Sequence, residues 1–258
     1  MSTVPTPGMG RPRRRLVGEI LIVLGLSFGA SAVYAVVAIL NRATRPEPIS
    51  EQTAALNRTL DQREIFDFVY QVLAIFFDLV PVALVAFFLW QVTGPRLGRL
   101  GVDFTRPALD GIWGLGLALA IGIPGLGVYF GGRALGATPN VTVTPEDWYW
   151  WTAGVLLLRA ATAGITEEVI VIGYLFARLR ELGWSTWAII LSSAALRGAY
   201  HLYQGVPAFF GNVAMGVLFG WLYTRYGRLL PFVIAHFLID AAIFVGYPWA
   251  ASNFPALF

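Results

Sequence analysis

Apolar runs long enough to cross a bilayer recur along this chain. They extend from Leu16 to about Leu40, Ile65 to Gln91, Leu109 to Phe130, Trp148 to Leu179, Trp184 to Tyr203, Pro207 to Tyr226 and Leu229 to Tyr247. A hydrocarbon core about 30 Å thick takes a helix of about 20 residues, and only structures that pair every backbone polar group internally can cross it. The sequence is 57% hydrophobic and 13% charged, about half the charge of an ordinary soluble domain. The expected fold class is therefore all-α, a polytopic transmembrane helical bundle of seven spans, or eight if the fourth divides near Gly164. The chain has no cysteine, which excludes a disulfide framework, a thiolate metal site and a cysteine nucleophile.

The basic residues orient this bundle. All 18 are Arg. Arg11, Arg13, Arg14 and Arg15 precede the first run, which is longer than the 7–15 residues of a signal-peptide core. With the N-terminus inside, the inner loops hold those four and also Arg96, Arg99, Arg106, Arg178, Arg180, Arg225 and Arg228. The outer loops hold Arg42, Arg45, Arg58, Arg63 and Arg133. The excess follows the positive-inside rule, so the expectation is a multi-pass protein of the bacterial cell membrane with a cytoplasmic N-terminus. Spread between apolar runs, the arginines form no nucleic-acid footprint.

Four segments follow: a basic cytoplasmic N-terminus (1–15), N-terminal membrane spans (16–140), a chemistry-bearing membrane core (141–250) and a short tail (251–258). Met1 to Gly10 is expected to be disordered. Pro81 and Pro124 mark an expected kink in the second span and an expected break in the third. Asp78 in the second span reads as a helix-packing group. Thr144-Pro145-Glu146-Asp147 has the form of a helix start, with Trp148, Tyr149, Trp150 and Trp151 behind it as an interfacial aromatic belt.

Glu167 and Glu168 are the anomaly of the core. A charge at membrane depth costs roughly 2.5–3.5 kcal/mol on insertion scales, so paired acids need compensation. Adjacent helical residues point about 100° apart. Glu167 is therefore expected to face a small polar chamber, and Glu168 a neighbouring helix with an arginine, Arg197 first and Arg159 second. The only two histidines, His201 and His236, also lie in apolar runs. Asp240 shares a helix face with His236, and Arg197 with His201, each pair four residues apart. Such a set can activate water and steady an oxyanion, or hold a divalent cation such as zinc through Glu167, His201 and His236. There is no H-E-x-x-H, no G-x-S-x-G and no Gly-rich phosphate loop.

At these residues the sequence resembles the CPBP intramembrane endopeptidase family, the CAAX-processing and bacteriocin-processing type also called Abi, which includes proteins like CAAX prenyl protease 2. The family pattern is E-E-x-x-x-R, F-x-x-x-H and H-x-x-x-N/D on three helices. Here Glu167-Glu168, His201 and His236 with Asp240 take those places, within about Trp148 to Tyr247. Ile172 stands where the family has its Arg, and Arg197 where it has its Phe. One reading is a swap that brings the guanidinium in from the neighbouring helix.

The resemblance implies hydrolysis of a peptide bond in a membrane-associated protein or peptide. Glu167 and His201 would activate water, His236 and Asp240 would stabilise the oxyanion, and Glu168 would be structural or a second base. It leaves the cofactor open between a divalent metal and none. Two other readings stand beside it. One is a non-catalytic member acting in bacteriocin immunity or as a membrane scaffold. The other is a proton- or ion-coupled transporter, for which the chain lacks paired polar clusters in its two halves.

Overall fold

The computed structural model describes residues 12–91, 94–95, 100–145 and 147–253. Met1–Gly10, Arg11, Arg96, Arg99, Glu146 and the tail beyond Asn253 lie outside the described residues. The chain is a helical bundle. Helices α1 (Arg13–Gly25) and α2 (Phe28–Ala43) meet at a bend of 53°. Helices α3 (Glu64–Asp78) and α4 (Val80–Phe88) are separated at Leu79, with Pro81 in the first turn of α4. The missing N–H of Pro81 falls where a helix start needs none. Helix α5 is Pro107–Ala134. Helix α6 (Thr152–Glu167) continues through a π-helical segment, Glu168–Tyr174, into α7 (Leu175–Glu181). Helix α8 (Thr186–His201) turns through a 3-10 segment, Leu202–Gln204, into α9 (Val206–Tyr226). Helix α10 (Leu230–Ala241) passes through a second π segment, Ala242–Gly246, into α11 (Tyr247–Asn253).

Strand β1 (Thr53–Ala55) pairs in parallel with β4 (Asn140–Thr142), and β2 (Trp90–Gln91) pairs antiparallel with β3 (Gly94–Pro95). The first pair joins two loops, and both strands of the second lie within the α4–α5 loop.

Among the described residues four helices are long and apolar enough to cross a membrane: 64–88, 107–134, 206–226 and 230–250. The bent α1–α2 pair makes a fifth if it is one span. Two expected spans are less ordinary. The α6–α7 rod carries Arg159, Glu167, Glu168, Arg178, Arg180 and Glu181. Helix α8 has 16 residues, about 24 Å, and falls short of a bilayer core.

Contacts between distant loops show how the chain alternates. Arg178 at the end of α7 pairs with Glu19 of α1 at 3.0 Å and donates to the Phe88 carbonyl at the end of α4. Arg228 pairs with Asp103 and Asp110, joining the α9–α10 and α4–α5 turns. The β1–β4 pair joins the α2–α3 and α5–α6 loops, at the opposite end. The turns that carry Arg178 and Arg228 therefore share the end of the bundle opposite to β1 and β4.

Four local expectations are corrected. The helix does not start at Thr144 but at Thr152. The Thr152 hydroxyl accepts the Tyr149 N–H, while the Trp151 ring packs on Tyr149 and Phe68 and donates to Glu64. These contacts with α3 outweigh the local cap signal. Pro124 does not break α5, which runs through it. A membrane helix tolerates a proline where neighbours satisfy the freed carbonyl. Gly164 does not split α6; it lies where α10 approaches, and a Cβ there would stand 3.0 Å from the Val233 carbonyl oxygen. Asp78 is exposed rather than packed between helices. Its carbonyl, not its carboxylate, accepts from Thr166.

The apolar core gathers around the π segment and α8–α10, with Ile170, Ile172, Phe176, Ile190 and Phe219 all fully buried. Gly216 admits α8 to within contact of α9, since a Cβ there would lie 2.8 Å from the Ala194 Cα. This is the small-residue packing on which membrane helices depend.

Candidate active site

Three helices bring the acids, histidines and arginine into one buried cluster. Glu167 is the last residue of α6 and Glu168 the first of the π segment. Widened π turns inside α-helices are frequent at functional sites. Arg197 and His201 stand one turn apart at the end of α8, and His236 and Asp240 one turn apart on α10.

Glu168 and Arg197 side chains are both fully buried, with Nη2 donating to Oε1 at 2.8 Å. His236 Nδ1 lies 2.8 Å from the same oxygen. A carboxylate oxygen can only accept, so this ring nitrogen is the donor. Arg197 Nη1 stands 3.6 Å from Glu167 Oε2, and its guanidinium lies over the Phe219 ring at 5.8 Å.

Glu167 Oε2 is where the other groups converge. Tyr200 donates its hydroxyl to it at 2.7 Å. His201 Nε2 is 3.7 Å away and His236 Nε2 3.9 Å. Asp240 Oδ2 lies 3.6 Å from His236 Nε2. The structure thus brings together Glu167, Glu168, Arg197, His201, His236 and Asp240. Arg159 is not part of the cluster; it donates to Gln71 Oε1 through Nε and Nη2 at 2.8 and 2.6 Å.

Three buried polar atoms here have no hydrogen-bond partner: Glu168 Oε2, Arg197 Nε and His201 Nε2. The last faces Glu167 Oε2 across a gap too wide for a direct bond, and a water lodged beside the two atoms can bond to both.

The donor set does not fit a metal ion. Among the described residues no group of three or more His, Cys, Asp or Glu side chains is arranged to hold one. Arg197 reaches both glutamates, so a fixed cation already occupies the place a divalent ion would neutralise.

Sequence reasoning missed several partners. Tyr200 sits three residues after Arg197, on the same helix face, and that spacing was the available signal. Gln204 approaches His201 Nδ1 to 3.3 Å across the 3-10 turn, a contact no helical periodicity predicts. Glu19 and Asp67, single acids within apolar runs, found Arg178 and Gln71.

Fold and cluster together define the class: an integral membrane helical protein with an acid–histidine–arginine site inside its bundle. Residues 149–242 match the family model described as type II CAAX prenyl endopeptidase Rce1-like, in agreement with the resemblance carried by the motifs in that segment. No curated protein and no solved structure matches the chain.

Proposed function

We propose that the protein is an intramembrane endopeptidase that hydrolyses a peptide bond of a membrane-associated protein or peptide, with water activated by Glu167. The observation that carries this reading is the Glu167–His201 gap. A carboxylate and an unpartnered imidazole nitrogen, 3.7 Å apart inside the bundle, can both bond one water. Glu167 takes a proton from that water as its oxygen bonds to the carbonyl carbon. The tetrahedral intermediate then collapses, the C–N bond breaks, and Glu167 returns the proton to the leaving amine. A new carboxylate and a new amine are the products.

The other residues serve this sequence. Tyr200 fixes the rotamer of Glu167. Arg197 neutralises the pair of acids, so that Glu168 becomes an anchor for the His236 ring and not a second base. His236 Nε2 stands beside Glu167, where the oxyanion forms. Stabilising that oxyanion requires a proton on each ring nitrogen, one given to Glu168 and one to the substrate. Asp240, an acceptor, steadies the ring at that second nitrogen. The membrane location and the common end of the turns that carry Arg178 and Arg228 support access from the cytoplasmic side.

The test is cleavage of membrane-anchored reporter peptides by purified protein in liposomes. Glu167→Gln and His201→Ala should abolish cleavage while helix content and detergent-solubilised monodispersity stay those of the parent. Cleavage at parental rates in Glu167→Gln would overturn the assignment.

A further inference from the structure

We propose that Gln204 sets the tautomer of His201, making it a hydrogen-bond donor at Nε2 and leaving Glu167 as the only base facing the water; this rests on the hydrolytic reading of the cluster. Gln204 lies at the end of the 3-10 turn that follows α8. Its Nε2 stands 3.3 Å from His201 Nδ1 and donates to the Tyr203 hydroxyl at 3.0 Å.

The amide orientation follows from what faces the other side of the ring. If the Gln204 oxygen pointed at His201, the ring proton would sit on Nδ1 and a bare Nε2 would face the Glu167 carboxylate. A bare nitrogen would then face a carboxylate at 3.7 Å in a buried site, tolerable only if a water spent both its protons between them, whereas an N–H there is attracted to the carboxylate directly. With the amide N–H donating to Nδ1, the proton sits on Nε2 and points at Glu167 and any water beside it. The nitrogen opposite a hydrogen bond fixes the role of its partner in this way generally.

The backbone holds Gln204 in place. Gly205 closes the turn at φ 109°, in the left-handed region that favours glycine. A Cβ there would stand 2.9 Å from the Ala137 carbonyl oxygen, so the turn is seated against the loop after α5. Tyr200 packs on the His201 ring, their centroids 4.8 Å apart. Gln204 touches no reacting atom and is a positioning residue.

The chain has only two histidines, which makes the test direct. Full-length protein labelled with 15N-histidine is read by solid-state or micelle NMR in alkaline buffer, with His236→Gln used only to assign the signals. Protonated and bare ring nitrogens resonate in separate regions. The expected wild-type spectrum has His201 protonated at Nε2 and bare at Nδ1. In Gln204→Glu the carboxylate accepts from the ring, and the Nδ1 signal moves to the protonated region. A wild-type His201 protonated at Nδ1, or a Gln204→Glu protein with Nδ1 still bare, overturns the inference. Neither readout depends on cleavage, so an inactive protein would count against the hydrolytic reading alone.

Discussion

Replacing Arg197 by Met removes the cation on which the buried acids depend, and the size of the effect can be worked from the geometry. Arg197 and Glu168 side chains are each 0% exposed and meet at 2.8 Å. With charge centres about 4 Å apart and an effective dielectric constant near 20, their attraction is about 4 kcal/mol. Met fills much of the same volume, so the cavity contribution is small. What remains is Glu168 held by the His236 ring alone, with Oε2 already lacking a partner. Leaving one member of a buried pair uncompensated costs roughly 3–5 kcal/mol.

For a chain of this size that corresponds to roughly 10 °C in Tm, read by thermal unfolding in detergent micelles. Glu168→Gln in the same background removes the stranded charge. The double-mutant cycle should then return a coupling of about 2–3 kcal/mol, within the range for residues in contact. A single-variant loss below about 1 kcal/mol, or additive effects in the cycle, would refute the claim that Arg197 stabilises the fold through Glu168.

Tyr200→Phe removes a hydrogen bond to a carboxylate worth about 1.5–3 kcal/mol, so kcat/KM should fall roughly 10- to 100-fold. The ring still packs on Phe28, so Tm should fall by only about 5 °C; an unchanged kcat/KM would show that Glu167 does not need this bond. Cleavage should persist in excess chelator, because Arg197 supplies the positive charge beside the acids, and activity lost to chelator and restored by zinc would contradict this. At the bundle end, the Arg228 guanidinium and then Thr105 hold the Asp103 carboxyl well below the usual carboxylate range. A lowered folded-state value means stability that is present above the unfolded value of about 3.9 and lost as pH falls through the folded one. Asp103→Asn should therefore lower Tm at neutral pH, with the gap from wild type closing only in strong acid; a gap that closes already near pH 6 would indicate another group.

How legible the sequence was depended on which interaction decided the structure. The apolar runs announced the helices, because a bilayer imposes length and backbone pairing on every residue in the run. The Arg197–Glu168 contact was readable because a buried pair of acids demands a cation and few were available. Tyr200 and Gln204 were not read. A tyrosine in an apolar run is ordinary by composition, and the 3-10 turn that aims Gln204 at His201 follows neither helical nor strand spacing. The helix start at Thr152 was missed because aromatic packing on α3 outweighs a good cap signal at Thr144. Helix α8 read as a full span because Leu202 and Tyr203 continue its apolar pattern, yet the α-helix ends at His201. That early end exposes the histidine to the interior of the cluster.

The proposed exchange at Ile172 and Arg197 is consistent with the same physics. Ile172 lies within the π segment, 1% exposed and packed in the apolar core, where a guanidinium would need partners of its own. Arg197 enters the cluster from α8, in contact with both glutamates and with Met215 and Phe219 of α9. The constraint set by two buried acids is on the charge of the enclosed volume, since the field of a guanidinium at 2.8 Å does not depend on which helix carries it. A motif written along one helix records one solution to that constraint. Helices packed as closely as α8 and α9, where Gly216 brings the backbones into contact, admit another.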